Sequence, residues 1–229
     1  MNKDTKHFSA IFVALASLFC VCLIVSNIME IKTVDLGPLT ITAGFIAFPV
    51  SYIINDCIVE VYGFAKARLV IWLAFALSLF VTLMLQAAVM LPGGTSWDAQ
   101  AAMERIFGSV PRMVAASFAA FICGSMVNAY VMSRMKISSR GRRFSLRAIV
   151  STLWGETTDS MIFFPIAFGG VLTWKEIAAL IVTQALLKTV YEIAALPLTI
   201  KVVSKLKAAE GEDAYDNGIS YKWWKLRDM

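Results

Sequence analysis

The sequence predicts an all-α polytopic membrane protein with six transmembrane helices, and three observations lead to that prediction. Of the 229 residues, 59% are hydrophobic and only 16% are charged, with a mean hydropathy of +0.71. A soluble domain carries about 25% charged residues, so this composition indicates that lipid surrounds much of the chain. Apolar segments of spanning length recur along the sequence, and Lys and Arg concentrate in alternate connections between them.

Each predicted helix is long enough to cross a bilayer. A helix rises about 1.5 Å per residue, so a hydrocarbon core of about 30 Å needs about 20 mostly apolar residues. Two of the six segments, the second and the fifth, carry acidic residues. The segments are 8–29, 43–61, 69–91, 113–133, 148–171 and 177–200. Residues 1–207 are therefore expected to form one transmembrane domain, and residues 208–229 a polar cytoplasmic tail.

The basic residues predict which side of the membrane each connection faces. Cytoplasmic loops carry an excess of Lys and Arg. With both termini cytoplasmic, four basic residues lie in the outside connections and 13 lie in the cytoplasmic pieces up to residue 207. The 13 are Lys3, Lys6, Lys66, Arg68, Arg134, Lys136, Arg140, Arg142, Arg143, Arg147, Lys201, Lys205 and Lys207. This asymmetry predicts a multi-pass protein of the plasma (inner) membrane with both termini inside.

The connection between the first two helices differs from the others. Residues 31–42 contain two β-prone arms around the turn sequence Leu36-Gly37-Pro38. We predict a short external β-hairpin here, and an ordered loop without strands is the alternative.

Composition and motifs argue against several other classes of protein. Disorder requires low hydrophobicity and high charge. The single histidine, His7, precedes the first span, which argues against Ser–His or Cys–His catalysis. The motifs HExxH, CxxC and GxxxxGK[ST] do not occur. We therefore expect no enzyme activity, cofactor or metal site, and we interpret the basic run 134–147 as a topology signal rather than a nucleic-acid surface.

Charged residues inside the predicted spans are the main functional signal. A charge at the bilayer centre costs about 2.5–3.5 kcal/mol on insertion scales, so such residues face a cavity or a partner. Those here fall in pairs three or four residues apart, and each pair shares one helix face. They are Asp56 and Glu60, Glu156 and Asp159, and Lys188 and Glu192. Five acids and one lysine require protons, water, basic residues or a substrate to compensate them.

Each pair also has a structural interpretation. Asp56 and Glu60 would suit a helix-end salt bridge with the nearby Lys66 or Arg68. The pair on the last helix would equally suit an ion pair within that helix. The middle pair lies well inside its span, where a functional role is favoured.

Three sequence blocks in the second, fifth and sixth spans resemble one known family. They are Phe48-Pro49-Val50-Ser51-Tyr52 with Asp56, Glu60 and Tyr62-Gly63; Arg147, Ser151-Thr152, Gly155-Glu156, Asp159-Ser160 and Phe163; and Lys188, Glu192 and Pro197-Leu198-Thr199. They resemble the FPxSY…DxxxExYG, RxxxSTxxGExxDSxxF and K…E…PLT patterns of the queuosine precursor transporter family, also called vitamin-uptake-type transporters. The resemblance implies import of a 7-deazaguanine base, such as 7-cyano-7-deazaguanine, its aminomethyl derivative or queuine, for salvage into tRNA queuosine.

The resemblance also implies a six-helix form similar to the substrate-binding subunits of energy-coupling-factor transporters. Family members act without an evident ATPase partner, so none is expected here, and a homodimer stays open. A permease for another vitamin or nucleobase, or a membrane scaffold without transport activity, is the alternative function.

A guanine-like base defines the side chains expected to bind it. A carboxylate can accept two N–H donors from the guanine edge, so Glu156 or Asp159 is expected there. Amides and an amine would donate to the carbonyl and ring nitrogens, and aromatic rings would stack on the flat face. The expected donors are Asn27, Asn128, Gln184 and Lys188, and the stacking candidates are Phe48, Tyr52, Trp154 and Phe164. The acids Asp56, Glu60 and Glu192 are expected to serve gating or proton coupling.

Overall fold

A computed structural model of the chain describes residues 8–29, 32–36, 39–108, 111–170, 173–222 and 225. Most of the described chain is helical, with two short strands and two irregular helical turns. The helices are α1 (Ala10–Met29), α2 (Phe48–Tyr62), α3 (Phe64–Met90), α4 (Gln100–Met103), α5 (Pro111–Ser138), α6 (Phe144–Phe168) and α7 (Trp174–Glu210). A 3₁₀ turn at Ala43–Ile46 precedes α2, and a π-helical turn at Glu104–Gly108 follows α4.

Within the described residues, five helical segments are long and apolar enough to cross a membrane. They are Ala10–Met29, Ala43–Tyr62, Phe64–Met90, Ala115–Ser138 and Trp174–Glu210. The remaining long helix, α6, has 25 residues, which is sufficient length, but Glu156 and Asp159 and several hydroxyl side chains make it less apolar. Length and composition thus support five of the six predicted spans, and the sixth stays a prediction.

The connection between α1 and α2 contains two paired strands, β1 (Thr33–Leu36) and β2 (Leu39–Thr42). They run antiparallel, with Thr33 opposite Thr42 and Leu36 opposite Leu39. The predicted turn residues, Gly37 and Pro38, lie outside the described residues. The paired strands lie in the segment where the sequence predicts a β-hairpin, with a loop without strands as the alternative. Their location outside the membrane stays a prediction.

Helix α2 is the central element of the bundle. It contacts α1, α3, α5 and α7, and nearly every side chain from Ser51 to Tyr62 is buried. Pro49 lies in the first turn, where its missing N–H leaves no helical hydrogen bond unmade. Helix α6 packs against α5 on one side and α7 on the other. This arrangement turns the polar residues of α2 toward those of the three later helices.

The segment after α7 folds back onto the helices. Helix α3 begins after Gly63, which has a φ of +85° and no side chain to cap the helix. The Asp216 carboxylate takes that role, because both of its oxygens lie 3.0 Å from the Phe64 amide and the Ser133 hydroxyl also donates to it. The buried Arg68 guanidinium donates to the carbonyls of Ser220 and Lys222 at 2.8 and 2.7 Å. The expected polar tail is therefore docked over residues 213–222.

Replacing the distant cap should loosen this docked segment. Loss of an N-cap acceptor costs about 0.5–2 kcal/mol, so Asp216→Ala should lower the thermal midpoint of the purified protein. It should also speed trypsin cleavage after Lys222. Asp98→Ala, in an exposed loop, is the matched control and should change neither measurement. Equal cleavage rates for both variants would contradict a capping role for Asp216.

Candidate functional site

Helices α6 and α7 bring together two acids and one lysine, which we term the acid–lysine cluster: Glu156, Asp159 and Lys188. The Lys188 Nζ lies 2.8 Å from Glu156 Oε2 and 3.6 Å from Asp159 Oδ2. Glu156 is 1% exposed and Asp159 8% exposed. The two acids of α6 are thus buried around a single base from α7, and the cluster carries more acid than base.

The spacing of polar residues along α6 places these acids on its buried face. Buried positions recur every three or four residues, which is the repeat of one helix face. They are Arg147, Ala148, Ser151, Thr152, Gly155, Glu156, Asp159, Ser160 and Ala167. The opposite face includes Trp154 and Met161, which are 59% and 60% exposed. The Trp154 ring, a predicted stacking residue, therefore lies on the outer face of α6, away from the cluster.

Helices α5 and α6 approach closely beside the cluster. A Cβ atom added to Gly155 would lie 2.8 Å from the Asn128 Cβ and 3.0 Å from the Gly124 carbonyl oxygen. One added to Gly124 would lie 2.9 Å from the Asp159 Cβ and 3.1 Å from the Tyr52 hydroxyl. The two glycines thus let the backbones meet and bring Tyr52 and Asn128, both buried, next to the α6 acids.

The other predicted binding residues lie in different surroundings. Asn27 lines a separate cavity of about 70 Å³ together with Ser78 and Thr82. Phe164 packs against Phe163 and Phe168, with ring centroids 5.2 and 6.0 Å apart. Gln184 is half-buried one turn before Lys188 on α7, and the side chain of Phe48 lies outside the described residues. The structure therefore groups Glu156, Asp159, Lys188, Tyr52 and Asn128, and places Asn27 elsewhere.

A second buried group, which we term the Glu60 cluster, surrounds Glu60 with bases from three helices: Lys136 of α5, Arg147 of α6 and Lys207 of α7. Both guanidinium Nη atoms of Arg147 donate to the Glu60 carboxylate, at 2.5 and 3.1 Å. Lys207 Nζ lies 2.7 Å and Lys136 Nζ 3.7 Å from Glu60 Oε1. The expected salt bridge from Lys66 or Arg68 does not form, because Lys66 pairs with Glu212 and Arg68 binds the docked tail.

The tail completes this cluster through Asp213. Its Oδ1 lies 2.5 Å from Lys136 Nζ and 2.9 Å from Lys207 Nζ. Burial would raise the pKa of Asp213, but the hydrogen bonds from the two lysines outweigh it and hold the pKa below its ordinary value. Asp213 therefore stays ionised and balances the excess of base around Glu60.

The remaining two acids, Asp56 on α2 and Glu192 on α7, form what we term the carboxyl pair. They are 0% and 1% exposed, and within the described part of the chain no base lies at ion-pair distance from either. Both Asp56 oxygens and Glu192 Oε1 lack a hydrogen-bond partner. The expected ion pair within α7 does not form, because Lys188 turns toward Glu156 on α6 instead.

The sequence offers basic loop residues such as Arg68 or Arg147 as partners for the buried acids, and Arg147 does pair with Glu60. It does not indicate Lys136, Lys207 or the docked tail as partners. Lys136, Arg147 and Lys207 project into the bundle from helices that extend past the predicted spans. Asp213 and Asp216 had no signal in the sequence, because tail acids are ordinarily solvated. Gly155 belongs to one of the sequence motifs and directly precedes Glu156. A small residue next to a buried acid is the sequence feature that indicates a close helix contact there.

Comparison with known proteins identifies relatives over most of the chain. Residues 42–202 match the family model described as "Putative vitamin uptake transporter". The chain is 31% identical over 173 residues to the "Probable queuosine precursor transporter" of Bacillus subtilis (strain 168), covering 75% of this chain and 76% of that protein. It is 29% identical over 168 residues to the "Queuosine precursor transporter" of Escherichia coli (strain K12), covering 72% of each. No solved structure matches the chain.

Enlarging Gly155 should separate α5 from α6 at the cluster. Overpacking costs about 1–3 kcal/mol, and here the contacts include a backbone oxygen that cannot rotate away. Gly155→Val should therefore lower the thermal midpoint in detergent. Gly94→Val is the control, since nothing lies within 4 Å of a Cβ added there. An unchanged midpoint for Gly155→Val would show that the two backbones are not in close contact.

Proposed function

Since the chain belongs to the vitamin uptake transporter family, we propose that it imports a queuosine precursor across the plasma (inner) membrane. The substrate would be a 7-deazaguanine base, such as 7-cyano-7-deazaguanine, its aminomethyl derivative or queuine, salvaged for tRNA modification. The observation that carries the proposal is the buried acid–lysine cluster in this multi-pass membrane protein. Two relatives of the chain are named as queuosine precursor transporters.

The chemistry of the cluster suits a guanine-like edge. N1–H and the exocyclic amine are neighbouring donors, and a carboxylate such as that of Glu156 can accept both. The adjacent ring carbonyl needs a donor, which Lys188 can supply once it turns from the acids to the base.

Neighbouring side chains would complete the site. Tyr52 offers a buried ring beside the α6 acids, and an aromatic face can stack on a planar base. Asn128 offers a buried amide nitrogen next to the α6 acids, and Gln184 lies one turn from Lys188 on the same face of α7. The proposed site is therefore Glu156, Asp159 and Lys188, with Tyr52 as the stacking residue and Asn128 and Gln184 as further donors.

The proposed membrane arrangement has six spans and both termini in the cytoplasm. Helix α6 would be the sixth span, since α5 and α7 cover the polar face that lowers its hydropathy. The Glu60 cluster and the docked tail would then lie at the cytoplasmic end, and the β1–β2 hairpin outside. The protein would transport its substrate without chemical conversion, in keeping with a transporter family.

Neutralising either α6 acid should impair salvage. A hydrogen bond to a charged group contributes about 1.5–3 kcal/mol, so Glu156→Gln or Asp159→Asn should reduce base uptake at least about tenfold. The variants are expressed in a bacterium that neither makes nor imports queuosine precursors, the base is supplied, and queuosine in tRNA is measured. Asp98→Asn is the matched control and should behave as wild type.

Substrate class is tested with an analogue pair. Purified protein should bind 7-cyano-7-deazaguanine but not a 7-deazaadenine, because the latter lacks the N1–H donor and leaves a buried carboxylate unpaired. Normal salvage by both acid variants at matched expression would refute the site. Failure of the wild type with all three bases, or equal competition by other vitamins or nucleobases, would refute the substrate class.

Reporter fusions test the orientation. Green fluorescent protein fused after Arg140 should fluoresce, because that connection is expected in the cytoplasm. Alkaline phosphatase fused after Thr95 should be active, because that connection is expected outside. The reverse pattern would contradict the assignment of the Glu60 cluster to the cytoplasmic end.

A further inference from the structure

We infer that the carboxyl pair, Asp56 and Glu192, is a proton-binding site that couples entry of the base to entry of a proton. The inference rests on the proposed function and adds its driving force. It also divides the three acids that the sequence grouped together, because among the described residues Glu60 has bases at ion-pair distance and the carboxyl pair has none.

The first support is burial without a partner. Asp56 is fully buried and Glu192 is 1% exposed, and they come from different helices. The amide nitrogen of Asn128 lies beside Asp56, and it is itself buried without an acceptor of good geometry. Asn55 adds a buried carbonyl oxygen without a donor. A proton on Asp56 would supply one O–H donor for an unused buried acceptor, such as the Asn55 carbonyl oxygen or Glu192 Oε1.

The second support is the charge that surrounds the pair. Helix α2, which carries Asp56, packs directly against α7, which carries Glu192. Glu60 and Arg147 neutralise each other through two hydrogen bonds. Within the described residues, no base lies at ion-pair distance from either carboxyl. Two ionised carboxylates cannot share a dry interior, so the stable state of the pair holds a proton.

Other titratable groups near the pair do not supply the missing positive charge. Helix α2 contributes Tyr52 and Cys57, and α5 contributes the uncharged Asn128. Helix α1 has no charged residue. Among the bases of α3 and α5 whose side chains are described, Lys66 and Arg68 bind the tail region, and Lys136 binds the Glu60 cluster. Arg134 lies over the ring of Tyr221 in the tail.

The third support is the position of the pair between the other two clusters. Tyr52, Asp56 and Glu60 recur every four residues on α2, so each step along this helix face is about 6 Å. Tyr52 lies beside the acid–lysine cluster, and Glu60 is the centre of its own cluster. On α7, Glu192 follows Lys188 by one turn. Movement of Lys188 toward a bound base would therefore change the field at Glu192 directly.

Proteoliposomes containing the full-length protein provide the test. Uptake of labelled 7-cyano-7-deazaguanine, an uncharged probe, is measured with the outside one pH unit more acidic than the inside. With the membrane potential held at zero by valinomycin and equal potassium on both sides, one proton per base would raise accumulation about tenfold at equilibrium, since one pH unit is a tenfold ratio of proton concentrations. Asp56→Asn and Glu192→Gln should reduce that factor to about one, and Asp98→Asn should retain it.

Two further measurements keep the test decisive. Exchange of labelled for unlabelled base without a gradient shows whether each variant is folded, since an amide imitates the protonated carboxyl. Asp56→Glu should restore part of the response to the gradient. A wild type that binds no base contradicts the proposed function. A wild type that transports base without response to pH, or in response to a sodium gradient, overturns the proton site alone, as does a full response in Asp56→Asn.

Discussion

Compensation of the buried Glu60 carboxylate is the constraint on which the arrangement of the bundle depends. Removing one partner of a buried ion pair costs about 3–5 kcal/mol, because the other charge stays in the interior. The bases that prevent this come from α5, α6 and α7, and Asp213 of the tail balances them. One carboxylate on α2 thereby fixes the relative position of four helices and the docked tail.

The three polar clusters differ in charge balance, and that difference separates their roles. The Glu60 cluster has bases in excess and a tail acid to offset them, which suits a structural role in holding the helices and the tail together. The acid–lysine cluster has two acids for one base, which suits exchange with a ligand rich in N–H donors. The carboxyl pair has no base at ion-pair distance in the described part of the chain, which is the basis for the proposed proton site. A tight α5–α6 contact at Gly124 and Gly155 holds the second cluster in place.

The region that matches the family model contains most residues of the three clusters. The matched region, residues 42–202, contains Tyr52, Asp56, Glu60 and all three residues of the acid–lysine cluster. It ends before Lys207 and the tail, which complete the Glu60 cluster from beyond it. The residues proposed to bind the base and the proton thus lie within the matched region, and part of the Glu60 cluster lies outside it.

The sequence by itself determined the membrane class, the approximate helix positions and the pairs that share a helix face. Hydropathy and the helical repeat are properties of neighbouring residues, so they can be read locally. Only the tertiary structure decided the partners. Lys188 pairs with Glu156 rather than Glu192, and Glu60 pairs with residues 87 and 147 positions away. Charge pairing depends on which helices pack together and how far each extends, and no local pattern encodes that.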